Sequence, residues 1–135
     1  MLEYMLDTNI CIYLTKNYPL ELLERFDQLS EHICISAITL AELQFGVEKS
    51  ARRQSNLDAL NAFNARIDVL PFDADAAAHY GQLRAELQRS GRLAGPLDML
   101  IGAHARSEGL IVVTNNEREF VRMPGLRVEN WVASP

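Results

Sequence analysis

Apolar residues follow two rhythms along this chain: short continuous runs, and longer stretches at helical spacing. Glu3 to Leu6 reads as a short strand ended by Asp7. Thr8 and Asn9 are good helix-start residues, and a short apolar helix, Ile10 to Leu14, follows. From Pro19 to Leu29, the positions Leu22, Leu23, Phe26 and Leu29 fall on one side of a helix. His32 to Ile35 predicts a second strand, and Ser36 an N-cap for a helix over Ala37 to Lys49. A helix over Ser55 to Ala65 and a third strand over Ile67 to Leu70 come next, closed by Pro71. Ala74 to Arg89 has the pattern of a long amphipathic helix, stopped by Ser90-Gly91. Gly95-Pro96 opens a further helix to Ser107, ended by Gly109. Leu110 to Val113 is a continuous apolar run, the pattern of a strand covered on both faces. A helical turn at Glu117 to Val121 and a strand near Leu126 to Val128 complete the series.

Strands alternating with helices predict an α/β fold, a central, mostly parallel sheet of about five strands with helices on both faces. No repeat, low-complexity tract or long linker interrupts the chain, so residues 1–135 read as one domain. In open α/β sheets, sites form beyond the carboxyl ends of the strands. That rule selects the polar residues worth weighing.

Asp7 is predicted at that edge. On position alone a helix cap is the simpler account. Thr8 and Asn9 already offer capping oxygens, which makes Asp7 redundant in that role. Glu42 lies within AITLAELQFGV, with apolar Ile38, Ala41 and Phe45 at helical spacing. A carboxylate on such a face is costly to bury without a cationic partner. Asp98 falls in the first turn of the helix opened by Pro96, where acids are favoured for dipole reasons alone. Thr114, Asn115 and Asn116 follow the fourth strand, and Glu119 sits one turn on; Glu117 reads as a solvated helix acid. Clustered carboxylates repel, and their pKa values rise unless a cation is present. A hard divalent ion such as Mg²⁺ prefers oxygen ligands and binds through one or two carboxylates. It can activate water and steady a phosphate under in-line attack, which is phosphodiester hydrolysis.

Composition changes this picture little. Hydrophobic residues are 48% and charged residues 23% of the chain, ordinary for a globular domain. No apolar run approaches the roughly 20 residues of a membrane helix. The N-terminus has no basic leader, so the cytoplasm is the expected compartment. Cys11 and Cys34 sit in apolar runs and read as buried, reduced thiols. The net charge of −5 argues against loose binding along nucleic acid. It is uneven: residues 1–48 carry two basic and eight acidic side chains, the remainder eleven and ten. Lys49, Arg52, Arg53, Arg84, Arg89 and Arg92 are candidates for a phosphate path, against the plainer account of a solvated basic face. A metal-free ribonuclease wants a histidine pair, but His32, His79 and His104 fall in a strand and two different helices.

The strings MLDTNICIYL, ISAITLAEL, RIDVL, GQLRAEL, GRLAGPLDMLIGAHARSEGLIVVTNNEREF and GLRVENW cover nearly the whole chain. In content and order the chain resembles the PIN-domain ribonucleases, and among them the VapC toxins of bacterial VapBC toxin–antitoxin pairs. It looks most like those that cut initiator tRNA in the anticodon stem-loop. The resemblance implies an endoribonuclease dependent on Mg²⁺, with Mn²⁺ as a substitute, leaving a 3′-hydroxyl and a 5′-phosphate. It implies Asp7 and Asp98 as direct metal ligands and Glu42 acting nearby. The fourth family acid falls on Asn116 here, with Glu119 three residues later as its replacement. Thr8, Asn9, Thr114 and Asn116 would be supporting polar groups. The implied partners are a VapB antitoxin placing a C-terminal segment in the acidic groove, a second copy of the chain, and operator DNA only through the antitoxin. Ile10 to Leu14 and Ile38 to Val47 are candidate dimer faces, or core.

Two other enzyme readings fail on single residues. A haloacid-dehalogenase-like phosphotransferase wants a second Asp two residues after Asp7, where Asn9 stands. A dinucleotide-binding Rossmann domain wants glycines after the first strand, and none follows. The non-enzyme alternative is a catalytically silent PIN-like protein that binds RNA or a partner. Asn116 favours it, and the retention of Asp7, Glu42 and Asp98 opposes it.

Overall fold

The computed structural model describes residues 1–132; positions 133–135 of the single domain expected over 1–135 lie outside the described residues. In chain order the elements are β1 (Tyr4–Leu6), α1 (Thr8–Thr15), α2 (Leu20–Leu29), a 3₁₀ turn (Ser30–His32), β2 (Ile33–Ser36), α3 (Ala37–Glu48) and α4 (Arg53–Asn64). Then follow β3 (Asp68–Leu70), α5 (Ala74–Arg89), α6 (Pro96–Glu108), β4 (Ile111–Val113), α7 (Glu117–Phe120) and β5 (Val128–Glu129). The expected α/β alternation is therefore present, with boundaries displaced by at most two residues. His32 belongs to the turn before β2, and the last strand begins at Val128.

The sheet order is β3-β2-β1-β4-β5, and every neighbouring pair is parallel, which sharpens the expected "mostly parallel". Parallel neighbours cannot be joined by hairpins, so helices carry the chain back across the sheet. The side-chain period of two then divides the core. Leu6, Ile33, Ile35 and Val113 join the helices α1 to α4 on one face. Met5, Cys34 and Val112, their immediate neighbours in the strands, pack with Leu83, Leu87, Met99 and Ile101 on the other. This is why the strands read as unbroken apolar runs: both faces are covered. Gly102 serves the second core by lacking a side chain, since a Cβ there would lie 2.3 Å from the Met123 sulfur. That close approach holds the α7 region against α6.

The chain adds β2 and β3 on one side of β1, then crosses to add β4 and β5 on the other. The order reverses between β1 and β4, where a crevice opens at the carboxyl edge of the sheet. Leu6 pairs with Val113 at the ends of these strands. The next residues in each strand's direction are Asp7 and Thr114.

Candidate active site

Asp7 has extended backbone angles, φ −79° and ψ 173°, and is the N-cap of α1. Its Oδ1 accepts a hydrogen bond from the Ile10 backbone N–H at 3.0 Å. Its Oδ2 accepts the hydroxyl of Thr114. Sequence alone hands the capping to Thr8 and Asn9, and this is a correction. The cap is the last extended residue before the helix, and Asp7 stands there because β1 ends at Leu6. One carboxylate oxygen closes the helix and the other is held by Thr114. Asp7 is 3% exposed. Burial pushes its carboxyl up to about 6 from 3.8, against the Thr114 and Ile10 hydrogen bonds, which lower it; the charges of Asp98 and Glu42 raise it further.

Thr8 is the first helical residue, and its hydroxyl donates to Glu42 Oε1 at 2.7 Å. Glu42 is half-buried on α3. The apolar face expected around it is also corrected. Ala41 is exposed and Phe45 is 65% exposed. The core face of α3 is Thr39, Leu43 and Val47, displaced around the helix from the predicted one. Asn9 is exposed, and no hydrogen bond among the described residues joins it to the acids.

Asp98 sits half-buried in the first turn of α6, after Pro96 has opened the helix. Burial also raises its carboxyl to about 6, with Glu119 and then Glu42 as the neighbouring charges that add to it. Asn116 Nδ2 donates to Asp98 Oδ2 at 3.5 Å, and the Asn116 backbone N–H donates to Thr114 Oγ1 at 2.8 Å. Glu119 Oε2 is buried without a hydrogen bond and lies 3.7 Å from the Arg122 guanidinium. Arg122 also donates to the Leu93 carbonyl, 2.8 Å away. The sequence signal for Arg122 is its i,i+3 spacing from Glu119. Asn115, adjacent to the cluster, donates to Tyr13 Oη at 2.9 Å.

Four acids from four separate segments thus share one electrostatic neighbourhood. Two of them hold protons above the ordinary carboxylate range, first because they are buried and then because like charges lie close by. Among the described residues no three Asp, Glu, His or Cys side chains converge into a ready-made cage. An all-oxygen donor set with one or two carboxylates in reach suits Mg²⁺, which keeps several waters, better than a metal needing a full protein cage.

The other candidates fall away from this cluster. Arg53 forks onto Glu48, Lys49 lies over the Phe45 ring, and Arg84 donates to Tyr80. No contact among the described residues joins these cations to the acids. His32 sits against the Met1 carbonyl, His79 accepts from Arg106, and His104 is fully buried. They form no pair. Both cysteines are free and buried, as expected. Ile10, Cys11 and Leu14 are core, so these three side chains are not available to a dimer face. No helix among the described residues is long and apolar enough to cross a membrane.

The PIN-domain family model matches residues 4–126. The chain is 56% identical to the tRNA(fMet)-specific endonuclease VapC of Shigella flexneri over 131 residues, covering 97% of this chain and 99% of that one. Among solved structures it is similar to the DNA-bound VapBC of Salmonella typhimurium, with TM-score 0.95, 52% identity, and coverage of 98% and 100%. It is also similar to VapBC2 of Rickettsia felis bound to a fragment of its promoter, with TM-score 0.92, 41% identity, and coverage of 97% and 100%. A parallel β3-β2-β1-β4-β5 sheet with an acidic crevice at its switch point, and likeness along nearly the full length, place the chain in the PIN-domain family, in its VapC branch.

Proposed function

We propose that this chain is the toxin of a type II toxin–antitoxin pair, a Mg²⁺-dependent endoribonuclease acting in the cytoplasm on the anticodon stem-loop of initiator tRNA. The observation that carries the catalytic part is the pairing of Asp7 and Asp98, both pushed up to about 6, at the switch point of the sheet. Keeping two such groups ionised is unfavourable for the fold alone and useful for holding a cation. Asp7 and Asp98 are the proposed direct ligands, Glu42 and Glu119 the flanking acids. A divalent ion there supplies charge neutralisation at the scissile phosphate and acidifies water.

The protein's own part is orientation. The Ile10 N–H and the Thr114 hydroxyl fix the Asp7 carboxylate on both oxygens. Thr8 fixes one oxygen of Glu42, and the proposed role of the other is to take a proton from attacking water. Asn116 carries no charge and steadies Asp98, so Glu119 is the better candidate for the fourth acid. Such a mechanism needs no ribose 2′-hydroxyl, which agrees with the 3′-hydroxyl and 5′-phosphate ends that the family likeness implies.

The tRNA target and the antitoxin rest on the relatives' names. One feature of this chain supports a partner segment. An apolar groove of about 300 Å³ opens beside Glu42, lined by Ile12, Leu43, Val47 and Leu60 with Lys16 at its margin. A net charge of −5 suits a toxin that meets operator DNA only through its antitoxin. A homodimer is proposed on surfaces other than the buried side of α1.

Antitoxin-free protein should release a discrete fragment from total RNA in Mg²⁺, and EDTA or Asp7→Ala should abolish it. Activity that survives both treatments overturns the proposed site. Broad degradation of messenger RNA overturns the tRNA target, and no cleavage under any condition favours the silent RNA-binding alternative.

A further inference from the structure

His104 is fully buried in the middle of α6, and Ser36, also fully buried, ends β2. The His104 Nδ1 and the Ser36 Oγ are 2.7 Å apart across 68 residues of sequence. Ser36 is at the same time the N-cap of α3, its Oγ accepting from the Ile38 N–H at 3.1 Å. Ser36 Oγ accepts from Ile38 and keeps its own proton, which the ring can accept at Nδ1 when it is in the neutral form protonated on Nε2. Burial, the largest influence on this ring, favours the same neutral form. The Phe72 ring packs against it edge-on, with centroids 5.3 Å apart. Nε2 makes no hydrogen bond of ordinary geometry, and a backbone contact with Pro71 favours a proton on the ring.

The two ends of this bridge are the helices that carry the acids. Asp98 stands six residues before His104 on α6, and Glu42 six residues after Ser36 on α3. Each acid is then about 9 Å along its helix axis from the bridge. A helix is stiff over that length, so a rotation at the bridge reappears at the carboxylate. Displacements on the order of 1 Å at a reacting centre can cost about a hundredfold in rate.

We propose that His104 is a positioning residue, whose buried hydrogen bond from the Ser36 hydroxyl sets the spacing between the Asp98-bearing and Glu42-bearing helices. It touches neither RNA nor cation. The proposal rests on the acidic site above being the catalytic one.

The test uses the full-length, antitoxin-free protein, with Mn²⁺ binding read by electron paramagnetic resonance and cleavage read on an anticodon stem-loop RNA. His104→Phe fills the space without an acceptor; His104→Asn restores an acceptor close to the Nδ1 position. For folded His104→Phe, kcat should fall about tenfold or more with KM within twofold, and Mn²⁺ affinity should fall at least threefold. His104→Asn should recover most of both. If His104→Phe does not fold, Ser36→Ala removes the same bond from the other side, and Ser36→Thr, which keeps the hydroxyl, is its control. A merely structural histidine would lower the melting temperature and leave kcat and Mn²⁺ affinity of the folded variant near wild type; that result overturns the proposal. Asp98→Asn separates the two levels. If it too leaves Mn²⁺ binding and cleavage unchanged, the acidic site itself is misassigned, whatever His104 does.

Discussion

Asp7→Asn should make the metal-free protein more stable at neutral pH while abolishing its activity. Raising the Asp7 carboxyl from 3.8 to about 6 corresponds to about 3 kcal/mol at 1.36 kcal/mol per pKa unit. At 3% exposure, solvent does little to screen that cost. A carboxyl whose folded pKa is raised binds its proton more tightly folded than unfolded. Stability therefore falls as pH rises from 3.8 to about 6 and is level above that. Asparagine removes the charge and keeps an oxygen for the Ile10 N–H. Its amide faces Thr114 Oγ1, which already accepts from the Asn116 N–H, so the threonine hydroxyl proton loses its acceptor. That loss costs about 1 kcal/mol. The net gain is about 2 kcal/mol at pH 7.5 and shrinks to about zero near pH 4.5, where folded wild type is already protonated. Urea unfolding of both proteins at several pH values, in EDTA, measures the difference directly. Millimolar Mg²⁺ should then stabilise wild type at pH 7.5 and leave the variant unmoved. A variant less stable than wild type by the same amount at pH 7.5 and pH 4.5 refutes the claim that Asp7 is held ionised at the fold's expense.

Thr114→Val removes a hydrogen bond that lowers the Asp7 pKa, so the acid limb of the rate–pH profile should move to higher pH, with a stability loss of about 1–3 kcal/mol in urea. Glu119→Gln removes the largest neighbouring charge acting on Asp98; the Asp98 carboxyl should titrate lower, as read by carboxyl-carbon NMR, and cleavage should fall more than in Asn116→Ala. Thr8→Val should lower kcat about tenfold with little change in stability, because it frees Glu42 without exposing core. Cys11 and Cys34 should resist a thiol reagent until the protein is unfolded, because burial pushes the Cys34 thiol up to about 12 and the Cys11 thiol well above its ordinary value.

The periodicity of apolar residues was enough to place every strand and helix to within a few residues. That is because the chain must bury both faces of a parallel sheet, and continuous runs such as Leu110 to Val113 admit few alternatives. The positions of Asp7, Asp98 and Thr114 after strand ends or at a helix start were equally legible, since the carboxyl edge of such a sheet is defined by chain direction. Which way a side chain faces is not legible in the same manner. Glu42 has apolar neighbours at helical spacing, yet Ala41 and Phe45 are exposed, because helical spacing alone does not say which stripe of α3 meets the core. Asp7 looks redundant as a cap beside Thr8 and Asn9, because a string of three capping residues does not reveal where the extended backbone ends.

By itself, then, the sequence determined the α/β alternation, the family likeness and the short list of acids, all of which depend on residue type and order along the chain. Tertiary structure decided how those acids are used. The order β3-β2-β1-β4-β5 brings Asp7 beside Thr114 across 107 residues of sequence, and Ser36 beside His104 across 68. It also sets the burial that lifts Asp7 and Asp98 to about 6. Desolvation and charge coupling depend on distances through space, which local pattern does not encode.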